Sequence, residues 1–381
     1  MEQLIKSTNA NIIIDKYILD DAINDNLTDC MYLDAKKLYS HYPPKFNSNS
    51  KKICYDKVIE SKYEPAQTLK LTQWKTRKLP ESYQLTSTLK CYYSPTVFKY
   101  EPRMGSKKYK EIDWYMNFSD SRIFNSYSSN LLAQDELQVL ECPLLGSIRE
   151  FLNAERVHKF KDTVVGINKN ENIIPTPILI GNIDRVISLD TFPNAQENRP
   201  YGLYGNNFCR ASTQAIYQAT NILKPPTRIN IIAMEAPSYG HGTYKEKTIR
   251  FILESCYTGF MAAKNESKKM ALLLKDEKPT TAEIKDVKTN IFTGFWGCGA
   301  YGGNRELMVL LQIIGAQLAG VNSLTIHAVY EDGMKDIENA AEKFKQLLRD
   351  VRDSEETKIS INDLISRIQK LKLKWGFSNG T

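Results

Sequence analysis

Apolar positions fall into short runs whose period changes along the chain, and the changes predict where helices give way to strands. Gln134 to Glu141 (QDELQVLE) reads as a helix stopped by Pro143, and Ser147 to Glu155 as a second one. Pro175 to Ile180 and Asp184 to Leu189 read as two short strands around a Gly181-Asn182 turn. Ser212 to Leu223 reads as a helix ended by Pro225 and Pro226, and Ile229 to Met234 (INIIAM) as a strand buried on both faces. A helix over Lys245 to Lys264, a strand over Thr289 to Thr293, a helix over Arg305 to Ala319 and a strand over Ser323 to Val329 follow. Beyond Met334 come two charged helices, and in the last Ile361, Leu364, Ile365, Ile368 and Leu371 share one face. Strands alternating with helices predict an α/β layered fold around a largely parallel or mixed sheet.

The 381 residues are 42% apolar and 25% charged, a globular composition that excludes a disordered chain or a collagen-like repeat. The longest apolar stretches, such as Leu307 to Leu311, are too short to span a bilayer, and the opening MEQLIKSTN lacks the apolar core of a signal peptide. Cys30, Cys54, Cys91, Cys142, Cys209, Cys256 and Cys298 form no CxxC pair, and four histidines show no ligand spacing. The expectation is a soluble cytoplasmic protein with no metal and no cofactor. The charge is uneven: Pro43 to Asp113 holds 15 Lys and Arg against 7 Asp and Glu, within a chain whose net charge is +7. Tyr55, Tyr63, Tyr83, Tyr92, Tyr93, Tyr100 and Tyr109 interleave with these lysines. Such a pattern can stack bases, but a charge run is more often a solvated face, and no specific nucleic-acid partner is expected. The texture divides the chain into an N-terminal accessory region (1–111), a main domain (112–332) and C-terminal helices (333–381).

The strongest local signal is TGFWGCGAYGGN, Thr293 to Asn304, between a buried strand and an amphipathic helix. Gly297, Gly299, Gly302 and Gly303 let the backbone approach a bound group and turn amides inward, with Cys298, Ala300 and Tyr301 between them. The following helix, capped by Asn304, adds the partial positive charge of its N-terminus, which together makes a diphosphate cradle. Trp296 and Tyr301 could wall a ribose or base, or Trp296 could anchor the loop to the core. Gly297 to Gly302 also matches G-x-G-x-x-G, yet a dinucleotide-binding unit usually opens its domain and carries an acidic residue about twenty residues on. Here the motif comes late, and the next acidic pair is Glu331 and Asp332.

The loop and the helix after it, NRELMVLLQIIGAQLAG, resemble those of the poly(ADP-ribose) glycohydrolases, a branch of the macrodomains. Three more stretches fall in the family's order. Gln134-Asp135-Glu136 is similar to its catalytic Gln-Glu-Glu signature, Asn117 in DWYMNFSD to the Asn on the preceding strand, and Tyr257-Thr258-Gly259-Phe260 to its Tyr-x-Gly-Phe segment. The resemblance spans Ile112 to Tyr330 and implies a macrodomain-like mixed sheet sandwiched by helices. It departs from the family in four places: Phe124 to Ser129 stands where three glycines are usual, Asp135 is one methylene shorter than the signature's middle residue, Phe295 replaces an Asn, and the strand end His327-Ala328-Val329-Tyr330 lacks the usual aromatic richness. A bacterial effector subgroup, with ADP-ribosylated ubiquitin as partner and a host cytosol as destination, is a further resemblance.

The resemblance implies binding of ADP-ribose and hydrolysis of the bond at its anomeric carbon. Glu136 would be the acid/base, with Asp135 orienting the ribose or Glu136, and Asn117, Gln134, Trp296 and residues 297–303 binding ligand. Two adjacent carboxylates in a first turn gain from the helix dipole, and burial beside a like charge raises a pKa. The alternatives are a binding module without turnover and a Rossmann-type dehydrogenase. Arg185, Asp190, Asn194, Tyr204 and Asn206 form a candidate acceptor-side wall, and Ala236 to Gly242, a candidate cleft lining, follow a buried strand, where ligands of such sheets bind.

Overall fold

The computed structural model describes residues 26–84, 88–98, 100, 111–166, 173–273, 287–329, 331–352 and 358–380. Tyr109, the lysines at 107, 108 and 110, and Tyr330 lie outside the described residues. The first elements are β1 (Leu27–Asp34), α1 (Ala35–His41), α2 (Asn49–Glu60), β2 (Thr68–Trp74), β3 (Ser82–Gln84), β4 (Lys90–Ser94) and β5 (Glu111–Ser119). Next come α3 (Gln134–Glu141), α4 (Pro143–Ala154), β6 (Val164–Val165), β7 (Ile174–Pro175), β8 (Ile178–Leu189), α5 (Asn207–Arg210), α6 (Thr213–Ala219) and β9 (Thr220–Glu235). The chain continues through α7 (Glu246–Leu273), β10 (Lys288–Gly294), α8 (Arg305–Ala319), β11 (Ser323–His327), α9 (Glu331–Arg352), β12 (Lys358–Ser360) and α10 (Ile361–Lys370).

Eight strands make one mixed sheet, ordered β1-β2-β8-β9-β5-β10-β11-β4. Its half from β9 to β4 is parallel and its half from β1 to β9 antiparallel. Strand pleating sends alternate residues to opposite faces. Trp114 and Met116 of β5, with Ile232 and Met234 of β9, pack under α7, α8 and α10, while Tyr115, Ile231 and Ala233 pack against α3, α4 and α6. The result is the expected α/β sandwich, a mixed sheet with helices on both sides.

Several elements differ from their sequence-based bounds. Residues 178–189 form one strand rather than two, with a bulge between Ile180 and Ile183 and Asn182 at φ 71°. Asn182 need not turn the chain because its N–H donates to Asn230 Oδ1 (3.0 Å) and its Nδ2 to Thr68 O (2.8 Å). The helix expected to Leu223 ends at Ala219, and Thr220 to Ile222 instead pair with Leu189 to Ile187. Pro225 and Pro226 are tolerated in β9 because β5 joins it only from Ile231 onward, leaving one side unpaired there. Helix α7 runs on to Leu273, past the expected end at Lys264.

The amino-terminal region is not an irregular attachment. Its described part supplies β1, β2 and β4 to the common sheet, and several of its basic side chains point inward. Lys51 is fully buried, Lys70 forms an ion pair with buried Glu266 (2.7 Å), and Lys57 donates to the carbonyls of Tyr217 and Thr220. All seven cysteines are free thiols, and among the described residues no helix is long and apolar enough to cross a membrane.

Candidate active site

A cleft of about 870 Å³ opens at the carboxyl ends of the parallel strands, lined by Phe118 and Ser119, Ala236, Gly294 and Phe295, and His327 and Ala328. Its two principal walls are the first turn of α3 and the loop between β10 and α8.

Hydrogen bonds of Gln134, Asn117 and Glu136 build the α3 wall. Beyond Tyr115, the last β5 residue paired with β10, the carboxamide of Gln134 takes the place of a neighbouring strand. Phe118 N–H donates to Gln134 Oε1 (2.7 Å), and Gln134 Nε2 donates to Met116 O (2.9 Å). Asn117, fully buried, donates through Nδ2 to Asp135 Oδ1 (2.8 Å) and to Gln138 Oε1 (3.0 Å). Glu136 Oε2 accepts the N–H of Ala133 (3.0 Å), which satisfies a helix-end donor. Gln134 and Asn117 thus tie α3 to β5 and fix the acids, while Asp135 and Glu136 line the cleft.

Burial and mutual repulsion raise the Asp135 carboxyl pKa, and burial raises that of Glu136, opposed by the Lys51 ammonium. Asp120, just past β5, adds negative charge to both. Glu235, at the end of β9 and in register with Ser119 of β5, is pushed up to about 7 by burial and by Asp120. Burial and neighbouring like charge thus push these carboxyl groups toward neutrality, the range in which acid/base chemistry works.

The opposite wall is built from backbone. Gly297 has φ 72°, and a Cβ there would lie 2.4 Å from the Ala236 side chain. Cys298 N–H donates to Phe295 O (3.0 Å), Gly302 N–H to Gly299 O (3.1 Å) and Gly303 N–H to Gly297 O (2.9 Å). Among the described residues, the N–H groups of Gly299, Ala300 and Tyr301 meet no protein acceptor, and all three residues line the cleft. Asn304 caps α8, its Oδ1 accepting Leu307 N–H (3.0 Å), so the helix dipole adds to these amides. Trp296, which lines the cleft, is buried with its indole N–H on Met234 O (3.1 Å), so its ring anchors the loop to the core. Burial raises the Cys298 thiol, which lies under the loop. Tyr301 spans the cleft, donating to Asp120 Oδ1 (3.2 Å).

Of the proposed acceptor-side residues, Arg185, Asp190 and Tyr204 line the cleft, whereas Asn194 caps a short 3-10 turn and Asn206 precedes α5. Arg185 is already committed, with Nε and Nη2 on Glu141 at 2.8 and 3.0 Å. Ala236 and Tyr239 also line the cleft, while His241 is exposed outside it.

Sequence reasoning missed four contributors. Asp120 and Glu235 are acids at strand ends, a position that could have marked them. Phe98 enters with β4 and packs edge-on against His327 (5.2 Å). The tail after α10 crosses behind the glycine loop: Gly376 N–H donates to Gly302 O (2.9 Å), Asn304 Nδ2 to Lys374 O (2.9 Å), and Asn379 reaches the cleft. Trp375 stacks on Tyr244 with ring centroids 4.2 Å apart, fixing this tail.

Residues 194–335 match the family described as poly(ADP-ribose) glycohydrolase (PARG), Macro domain fold. The match includes the glycine loop and begins after the carboxylate pair. Among solved structures, the chain is similar to poly(ADP-ribose) glycohydrolase from Thermomonospora curvata bound to the inhibitor ADP-HPD, at 12% identity over 77% of this chain and 99% of that one, with a TM-score of 0.40. It is also similar to the glycohydrolase from Deinococcus radiodurans in complex with ADP-ribose, at 12% identity over 69% and 86% of the two chains, with a TM-score of 0.36. No curated protein matches the sequence.

Proposed function

We propose that this chain, through its poly(ADP-ribose) glycohydrolase-type macro domain, binds ADP-ribose and releases it from modified proteins by hydrolysing the bond at the anomeric carbon. The observation that carries the reading is one cleft with a buried carboxylate pair on one wall and three unbonded loop amides at a helix N-terminus on the other. Donors of that kind suit a diphosphate, and a carboxyl group with a raised pKa suits a glycosidic leaving group.

In this reading the amides of Gly299, Ala300 and Tyr301 hold the diphosphate and bring the attached ribose toward α3. Glu136, through the oxygen not bonded to Ala133, protonates the departing oxygen as the sugar gains oxocarbenium character, then takes a proton from the attacking water. Asp135, held by Asn117, orients the ribose. Phe124 to Ser129 lacks the family's glycines, so a protein carrying single ADP-ribose groups is the expected substrate ahead of polymer. A reducing cytosol, the cell's own or a host's, suits the free thiols.

The test incubates mono-ADP-ribosylated protein, including ADP-ribosylated ubiquitin, and poly(ADP-ribose) with wild type and Glu136→Ala, following ADP-ribose release. Release by wild type and not by the variant supports the reading. Binding without release marks a reader, and tight binding of NAD but not of ADP-ribose marks dehydrogenase chemistry; either would overturn it.

A further inference from the structure

The carboxylate pair is backed by the amino-terminal region, which the glycohydrolase match does not include. The segment from Pro44 to Lys51 runs along the outside of the loop from Phe124 to Ser129, whose Ser126 and Ser129 line the cleft. Ser48 N–H donates to Ser128 O (3.2 Å), Lys45 N–H to Tyr127 Oη (2.7 Å), and Asn47 Nδ2 to Ser128 Oγ (3.3 Å). Phe46 packs edge-on against the Tyr127 ring at 5.4 Å. Lys51, on α2, has no exposed surface, and its Nζ donates to Tyr127 O (2.8 Å) from the inner side of this clamp. A buried ammonium is costly unless opposite charge faces it. The charged and titratable groups around it are Glu136 and Asp135 of α3 and Cys54 of its own helix, while Asp120 faces the two acids from the end of β5.

We propose that Lys51 is a positioning residue for hydrolysis: it holds the cleft wall at Tyr127 and supplies the buried positive charge that keeps one of the two α3 carboxylates ionised. This rests on the hydrolase reading and deepens it by making the amino-terminal region part of the site. Burial lowers the pKa of Lys51 to about 8 against the opposing pull of Glu136 and Asp135. Without this cation both carboxylates would hold protons to higher pH.

The test compares full-length wild type, Lys51→Gln, which keeps a donor for Tyr127 O, and Lys51→Arg, which keeps the charge. Hydrolysis is followed across pH, and 13C-carboxyl NMR titrates Asp135 and Glu136 with no need for turnover. The expected result for Lys51→Gln is a rate about tenfold lower near neutrality, an acid limb about one pH unit higher, and carboxyl titrations displaced upward in parallel. Lys51→Arg should restore the limb. Unchanged limb and titrations in Lys51→Gln would overturn the proposal, as would equal displacement in Lys51→Arg. Should wild type fail to hydrolyse any substrate while the carboxyl titrations still move, the hydrolase reading fails and the charge role stands. If Lys51→Gln does not fold, the titrations of Lys51→Arg against wild type at high pH decide: the Arg charge persists where Lys51 loses its proton, so they should separate there, and coincident curves overturn the proposal.

Discussion

The two walls of the cleft are built by opposite means. The α3 wall depends on buried side chains fixed from the interior: Asn117 by its bond to Asp135, Gln134 by its bonds to the β5 backbone, Lys51 by its bond to Tyr127 O. The glycine wall depends on backbone, with its functional groups supplied by amides that any residue owns and its shape by residues lacking a side chain. A wall of amides has no titration in the physiological range, so its grip on an anion should vary little with pH. A wall of buried carboxylates varies steeply. Binding and turnover should therefore separate when either wall is altered.

The largest effect should come from Glu136→Gln, with hydrolysis falling about a thousandfold while ADP-ribose affinity, read by calorimetry, changes little. Loss of affinity in parallel would erase the contrast between the walls. Gly297→Val should do the reverse: the positive φ and the 2.4 Å approach to Ala236 make it costly by roughly 2 kcal/mol or more in melting, and ADP-ribose affinity should fall with it.

A pH-dependent stability difference should follow at Asp135. Its carboxyl pKa is raised by folding, so its favourable contribution is complete below the unfolded value of about 4 and is lost as pH rises through the folded value. Asp135→Asn should therefore stabilise the protein more at pH 8 than at pH 5, by roughly 3 kcal/mol in urea unfolding. An equal effect at both would mean that folding does not raise this carboxyl's pKa. The smallest effect is expected from truncation after Lys370. Removing the bond from Gly376 to Gly302 O should weaken ADP-ribose binding by roughly fivefold, with the hydrolysis pH profile unmoved.

The same contrast explains what was legible beforehand. Helices α3 and α8 have their expected bounds, because Pro143 stops one and Asn304 caps the other by local chemistry. The glycine loop was legible because its composition has few other uses. Residues 220–223 looked helical because their strand identity depends on pairing with β8, a neighbour more than thirty positions away through Leu189↔Thr220. Lys51 was hidden among lysines that a charge count treats as solvated, and only the packing of α2 turns it inward. The tail shares no local motif with the loop it backs, so Asn379 carried no signal. Local signals thus found the chemistry, while the groups that hold it in place came from distant parts of the chain.

The clamps on the cleft also bear on how the molecule assembles. Lys51 meets Tyr127 across 76 positions and Asn304 meets Lys374 across 70, and each closure costs chain entropy before its hydrogen bonds repay any of it. The sheet beneath can form without either, since its strands are joined by their own ladders. During refolding, then, the interior should become protected from hydrogen exchange before the chain acquires any grip on ADP-ribose, making competence a late event rather than a by-product of collapse.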